Sequence, residues 1–421
     1  MNRKRKGFAA LAGGAILAAG FAWGVLAQRE KIFPHSLLRR VGVKLGARVW
    51  KAPASRATFV PAFGGASLPY LSGQVDPHPS ADGIVVNMKD RVAPGDNLFS
   101  MPGRPTSYLL DPAGKVVWRW SIAGAANGTD QIGFTHLYPN GDALALVERR
   151  ALLKIDRNSR VLWRFEDRVH HDAWVGFDGR IYTLVRRRVF DAAVDPSSPV
   201  ATDSIMILSP DGQAQSEIPL LEVFESSPYR YLLPRRPPGE RALPVDVLHT
   251  NHLEVYDGKL ERLSPLFRRG NLLVSFRNIC SIAILDGQTH AILWLWGPMN
   301  LALQHHATIL ANGDVLLFNN GLRRSQVVEI DPRTDAVVWR YDPEDDAFFS
   351  SIRGSCQRLS NGDTLIAVSQ AGYGVEVTRS GEVVWKFINP DIDRSHFRQG
   401  IFRINRVDPA SLTFLPSAAG R

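Results

Sequence analysis

The chain has 421 residues, 45% of them hydrophobic and 22% charged, with 35 Gly and 27 Pro, which suits one large domain or two ordinary ones and is too apolar for a disordered chain. Its formal charge of +9 sits at one end: residues 1–50 hold ten Lys or Arg against one acid, Glu30, and the remainder balances at 40 basic and 40 acidic groups, with no footprint for a polyanion. Two cysteines, Cys280 and Cys356, exclude a disulfide scaffold and a four-cysteine zinc site; one bridge between them is open, and two separate buried thiols are the expected state.

Gly7 to Ala27 is an uncharged stretch preceded by Arg3, Lys4, Arg5 and Lys6. As a helix it spans about 30 Å, the thickness of a bilayer's hydrocarbon core. Val25-Leu26-Ala27 before Gln28 is a passable cleavage site, yet the length favours an uncleaved signal anchor. Arg29, Lys31, Arg39 and Arg40 lie beyond it, so charge alone leaves orientation open, and the tight RKRK cluster favours the N-terminus inside with the body exported. Residues 28–50 read as a basic amphipathic helix on the membrane surface or as a solvated stalk. The organisation expected is anchor and juxtamembrane segment over 1–50, linker over 51–80, one folded domain over 81–410 and a tail over 411–421.

The body repeats. A turn followed by a short β run ending in Trp recurs as DPAGKVVW to Trp118, DRNSRVLW to Trp163, DGQTHAILW to Trp294, DPRTDAVVW to Trp339 and RSGEVVW to Trp385. SPDGQAQSEI is a degenerate copy with Ser216 at the Trp position. Between copies lies a Gly turn flanked by apolar alternation: LYPNGDALAL, VGFDGRIYTL, TILANGDVLLF, RLSNGDTLIA and a stretched copy, YDGKLERLSPLFRRGNLLVSF. Asn-Gly and Asp-Gly between β runs mark hairpins, because both central turn residues need positive φ. Two hairpins per repeat of about 45 residues is the period of a propeller blade. Six repeats predict an all-β, six-bladed β-propeller behind an N-terminal transmembrane helix. Residues 219–247 read as an inserted loop, and no long helical periodicity follows residue 50.

In a propeller the residues just before each innermost strand, and those ending the next strand, meet at one mouth of the central channel. Seven or eight positions before the Asn or Asp of the Gly turn stand His170 and His171, then His249, His305 and Arg353. Seven positions after the Gly stand Glu148, Arg186, Arg277, Asn320 and Ser369. The spacing thus predicts a ring of His and Arg at one end of the axis. Arginine forks suit anionic oxygens, and imidazole serves as nucleophile or as acid and base. Converging imidazoles could instead hold Zn²⁺ or Cu²⁺, but the arginines would repel a cation, so neither metal nor cofactor is expected. Histidines simply hydrogen-bonded inside the channel are the third reading. His136, His252, His290 and His396 fall off this address and read as surface or packing residues.

Over residues 82–390 the chain resembles the bacterial arylsulfotransferases, in DRVAPGDNLFSM, VHHDAWVGFDG, DVLHTN, LLVSFRN, QHHATILANGDVLLFNNG and RGSCQRLSNGDTLIA. The resemblance implies an exported six-bladed propeller that moves a sulfuryl group from an aryl sulfate ester to a phenol without a nucleotide donor. It makes His305 the nucleophile of a sulfohistidine intermediate and His249, Asn251, Arg277 and one of His170 or His171 the groups that hold sulfuryl oxygens and assist proton transfer. Arg353, Asn320 and Arg186 are expected to bind substrate. The chain departs from the family pattern at His306, where Asp is frequent, and at Val247, where Trp is familiar. Two functions follow: a ping-pong sulfotransferase at the cytoplasmic membrane with its propeller on the periplasmic or extracellular side, or a non-catalytic propeller that binds an anionic small molecule or acts as an envelope scaffold. Retention of the polar ring favours the enzyme.

Overall fold

Alternating short apolar strands and Gly turns close into six sheets around one axis. The computed structural model describes residues 81–102, 104–123, 131–238, 244–345, 347–392 and 397–416; the expected anchor, basic segment and linker lie outside them. Among the described residues no helix is long and apolar enough to cross a membrane. Blade two gives the plan, with antiparallel strands Ile132–Leu137, Ala143–Val147, Ala151–Ile155 and Val161–Glu166 ordered from axis to rim. Blades three, four and five repeat it, their innermost strands being Val169–Val175, Thr250–Val255 and His305–Ile309.

The two ends of the chain close the ring. Blade one takes its outer strands from Asp96–Ser100, Thr106–Leu110 and Val116–Ser121, but its innermost strand, Arg403–Val407, comes from the far end of the sequence. Blade six, which starts at Ser355–Arg358, gains Gly83–Asn87 as a fifth, outermost strand against Val383–Ile388. Each closure ties distant parts of the chain by backbone hydrogen bonds.

The repeated Trp turns out to be a clasp between blades. Trp118, Trp163, Trp339 and Trp385 sit on outer strands and donate Nε1–H to the carbonyls of Arg157, Pro210, Arg379 and Pro112, each in the outer turn of the next blade, at 3.0, 3.2, 2.9 and 2.9 Å. Trp294 makes the same reach to Asp335 Oδ1 at 2.7 Å. Trp385 carries the series across the closure between blades six and one. The degenerate copy lacks the indole at Ser216, and there the insertion takes over the packing: Leu220, Leu221 and Phe224 bury against Val247, Leu248 and Phe276 of the next blade. That insertion is not wholly loop, since Leu220–Glu225 forms a short helix and Arg230–Leu232 a 3-10 turn.

Facing blades share the remaining apolar clusters, as where Leu144, Leu146 and Leu152 of blade two meet Ile181, Val185 and Met206 of blade three. Fully burying each such side chain contributes about 2 kcal/mol before entropy. Leu412 and Phe414, in the stretch set off as a tail, pack beneath blades one and two, with Phe414 edge-on to Trp118 at 5.2 Å. Cys280 and Cys356 are separate thiols.

Candidate active site

The histidine address lies where innermost strands begin, and there the backbone departs from regular pleating. Register shifts interrupt the inner pairings of blades three, four and five at His171, Asn251 and His306, the pattern of a β-bulge. His171, His249, His306 and Arg353 hold φ of 60°, 49°, 51° and 58°, left-handed values that cost a non-glycine residue about 1 kcal/mol or more each. The kinks turn these side chains from the pleat toward the axis. Beside Arg353, Gly354 has φ of 112°, and a Cβ there would stand 2.3 Å from the Phe318 ring.

His305 is 5% exposed and fixed in one tautomer. Asn320 Nδ2 donates to the carbonyls of Ser350 and Arg353 at 2.7 and 2.6 Å, which sets the orientation of its amide. Its Oδ1 therefore faces His305 Nδ1 at 2.7 Å, and the Leu303 carbonyl faces the same nitrogen at 2.9 Å. Two acceptors require the proton on Nδ1, so Nε2 bears the lone pair. The Arg353 backbone N–H donates to this lone pair at 3.3 Å, a long hydrogen bond that must yield before Nε2 can attack. Burial holds the His305 imidazole well below its usual range, and the charges of Arg277 and His249 push it the same way, so this lone pair stays unprotonated at neutral pH.

Around His305, residues His171, Asn251, His306, Arg353, Phe402 and Arg403 line a cavity of about 10 Å³, the space of one water. The Arg353 guanidinium lies 5.3 Å from the Phe402 ring centre, so Phe402 supplies the aromatic wall. Val247, at the position of the family's Trp, is fully buried in the packing between blades three and four.

The remaining mouth residues form one charged network. The His171 ring lies 5.0 Å from that of His249 and 6.4 Å from that of His305. Its Nδ1 is 2.8 Å from His170 Nδ1, and His170 Nε2 lies 3.1 Å from Asp203 Oδ1, a run of carboxylate, imidazole and imidazole. Glu148 Oε1 accepts the His171 backbone N–H at 2.9 Å. Burial, then His249 and His170, hold His171 well below the imidazole range. Arg186 binds Asp203 Oδ1 through Nε at 2.8 Å and Asp246 Oδ2 through Nη1 at 3.0 Å, so its polar reach goes to two protein carboxylates. Asp246 Oδ2 is also 2.5 Å from His249 Nδ1, which leaves His249 Nε2 as that ring's second nitrogen. Burial works against the Asp246 charge, but His249 and Arg186 outweigh it and hold the carboxyl below its usual range. Arg277 donates Nη1 to Asn278 Oδ1 at 2.9 Å, and no carboxylate among the described residues pairs with it. Burial lowers its otherwise very high pKa.

A second polar layer lies deeper in the channel, built partly from histidines that repeat counting had set apart. His252 and Asp172 form a short ion pair, Arg403 Nη1 binds the other Asp172 oxygen at 3.0 Å, and the His252 and His306 rings lie 4.6 Å apart. His306 Nδ1 accepts the Cys356 backbone N–H at 3.3 Å, which puts the proton of the neutral ring on Nε2. Burial, then Arg403 and His252, hold His306 well below the imidazole range. His136 joins this layer: burial lowers it to about 4, with Asp172 and Arg403 the nearest charges acting on it. His290 lies on an outer turn, and His396 is outside the described residues.

The structure therefore gathers His170, His171, His249, Asn251, Arg277, His305, Asn320 and Arg353 at one mouth, with Arg186 tying their aspartates. Of these, Asn320 and Arg186 spend their polar groups on protein partners. Sequence counting passed over Asp203 and Arg403 as site residues, since neither stands at the repeated address. Asp246 and Asp172 also lie off that address; their signals were the spacing Asp246 to His249 and the run His170-His171-Asp172. Among the described residues no group of three His, Cys, Asp or Glu is arranged to hold a metal ion. A fixed imidazole lone pair amid arginines and N–H donors is equipped to attack an electrophilic, anionic centre.

Comparison with known proteins bears on this geometry. Residues 149–390 match the model of a protein family described as arylsulfotransferase (ASST). No curated protein sequence matches the chain. Among solved structures, a protein of unknown function from Bacteroides caccae is 15% identical with a TM-score of 0.48, over 74% of this chain and 98% of that one. A streptogramin B lyase is 12% identical with a TM-score of 0.44, over 80% and 97%. Similarity at that level carries no functional argument.

Proposed function

The chain belongs to the arylsulfotransferase family, which suggests sulfotransferase activity on aryl sulfate and phenol substrates, and from that premise we propose that it works by a ping-pong route through His305. In the first half-reaction Nε2 attacks the sulfur of an aryl sulfate ester. The N–S bond forms as the S–O bond to the aryl group breaks, and the aryl oxygen leaves with that electron pair as a phenolate. In the second a phenolic oxygen attacks the sulfur, the N–S electron pair returns to Nε2, and the phenol's proton goes to His249 Nε2, whose ring Asp246 orients. Arg277 and Arg353 stabilise the negative charge of the three sulfuryl oxygens in transit. The observation that carries this reading is the tautomer lock on His305: a nucleophile must present a lone pair, and Asn320 with Leu303 places it on Nε2 in the neutral ring.

The cavity has room for one water, so an aryl sulfate is admitted only when the wall residues part. We further propose that Gly7–Ala27 serves as an uncleaved anchor and that the propeller works on the exported side of the cytoplasmic membrane. Its uncharged length and the RKRK cluster before it support this. The test of the chemistry is intact-mass analysis after mixing the protein with 4-nitrophenyl sulfate. A sulfuryl adduct is expected on the wild type and not on His305→Ala. No adduct and no turnover across a broad donor panel would refute the reading.

A further inference from the structure

Resemblance assigns Asn251 to the sulfuryl oxygens together with the arginines, but the hydrogen bonding of this side chain points elsewhere. Asn251 is 3% exposed and lines the same cavity as His305 and Arg353. Its Nδ2 donates to the Gln304 backbone carbonyl at 2.7 Å. A carbonyl can only accept, so that contact fixes which end of the amide is nitrogen. Gln304 is itself immobilised: it is fully buried, and its Nε2 donates to the carbonyls of Phe276 and Ser281 and to Ser275 Oγ at 3.1, 2.8 and 3.2 Å. Asn251 therefore cannot turn its amide without stranding a buried carbonyl. What remains is Oδ1, buried and without a hydrogen-bond partner among the described residues.

An amide oxygen has lone pairs and no proton to give. Sulfuryl oxygens, on the donor ester or on a sulfohistidine, also have lone pairs and no proton, so Oδ1 beside them would be repulsive. The reaction supplies one neutral group that does carry a hydrogen to donate: the hydroxyl of the acceptor phenol. We infer that Asn251 Oδ1 is the acceptor-binding oxygen, which takes a hydrogen bond from the incoming phenol hydroxyl and selects the protonated form over the phenolate. The inference rests on the sulfuryl-transfer reading and deepens it by dividing the wall of one small cavity. Arginines and N–H groups address the sulfuryl oxygens, and the Asn251 oxygen addresses the second substrate. Asn251 then holds the hydroxyl, while its proton leaves to His249 as the new S–O bond forms and the N–S bond breaks.

Two half-reactions make the division testable, because only the second involves the hydroxyl. With Asn251→Ala, adduct formation from 4-nitrophenyl sulfate should change less than about threefold. Release of the isolated adduct to a protonated phenol should slow about tenfold, the worth of one neutral hydrogen bond. The slowing should disappear with a phenol already ionised at the assay pH. Equal loss in both half-reactions would overturn the inference and return Asn251 to the sulfuryl oxygens. If the variant does not fold, wild-type adduct settles the matter: its release to 4-nitrophenol should fall as pH rises through that phenol's own pKa, and a rise overturns the inference. Wild-type protein that forms no adduct would remove the sulfuryl-transfer reading itself, an outcome distinct from either.

Discussion

Asn320→Asp isolates the feature on which the proposed chemistry depends. In the native protein an amide oxygen 2.7 Å from His305 Nδ1 accepts its proton without adding charge, so the ring stays neutral. A carboxylate at that distance keeps the acceptor and adds a negative charge, which favours the imidazolium by about one to three pKa units. His305 starts well below its usual range, held there by burial first and then by Arg277, and the substitution should lift it toward neutrality. An imidazolium has no lone pair. The acid limb of adduct formation should therefore move up by about one to three pH units, with about tenfold lost for each pH unit below the new midpoint and recovery as pH rises. Asn320→Ala is the companion: it loses orientation without adding charge, so its rate should drop at every pH with no displacement of the profile. Both variants deprive the Ser350 and Arg353 carbonyls of their donor at a cost of about 1–3 kcal/mol per buried group, so the assays belong well below the melting temperature. The readouts are adduct formation by rapid-quench mass analysis across pH and the tautomer of His305 by ¹⁵N NMR. A wild-type pH profile in Asn320→Asp, with wild-type rate at pH 6, would show that the asparagine does not set the nucleophile's protonation and would refute the tautomer argument.

Acid should unfold the propeller early. His136, His171, His305 and His306 all have folded pKa values below the unfolded one, so each contributes fully above about pH 6.5 and destabilises as pH falls below it. Four groups at about 1.4 kcal/mol per pH unit give a loss of roughly 5 kcal/mol between pH 7 and 5.5, measurable by denaturant titration. His252 has the opposite sign, raised by Asp172 against burial; its contribution grows as pH falls through the same window and offsets part of one group's share of that loss, and a flat stability curve would contradict the buried-neutral assignment. For the proposed anchor, N-terminal sequencing of membrane-associated protein should read from Met1 or Asn2; a start at Gln28 would make the apolar stretch a cleaved signal peptide.

The propeller was legible because its determinants are local and repeated. Gly at the hairpin turns needs positive φ, and the Trp after each outer turn is the residue that clasps the next blade, so both recur at one spacing. The mouth residues were legible for a related reason: a position counted from the turn is a height along the axis. Height, however, does not say which way a side chain points. Arg186 and Asn320 stand at the predicted level, but Arg186 spends its groups on Asp203, its cross-strand neighbour, and on Asp246 before the next blade, and Asn320 on Ser350 and Arg353 before the blade that follows, partners that no count along the chain reveals. Arg403 was invisible for a stronger reason, since the innermost strand of blade one lies at the opposite end of the chain from its three neighbours. His252 fell outside the count because it stands five positions before Asp257 rather than seven or eight, one layer deeper in the channel.

The bulges also explain how a fold made of near-identical blades carries a site that is not six-fold. A regular innermost strand would present alternate residues to the channel and yield the same height in every blade. Extra residues at His171, Asn251 and His306, with left-handed φ at His171, His249, His306 and Arg353, stagger the inner ends of blades three to six. Each departure costs about 1 kcal/mol or more in a chain whose net stability is on the order of 10 kcal/mol, so four of them at one mouth are sustained only by the ion pairs and caps around them. Asp203 shows how: its Oδ2 accepts the Thr250 backbone N–H at 2.6 Å, beside the strained His249, while its Oδ1 holds Arg186. The buried carboxylates thus do for the backbone what Asn320 does for the imidazole. They hold an unfavourable arrangement in place so that His305 and Asn251, from innermost strands of two blades that would otherwise be equivalent, can line one small cavity.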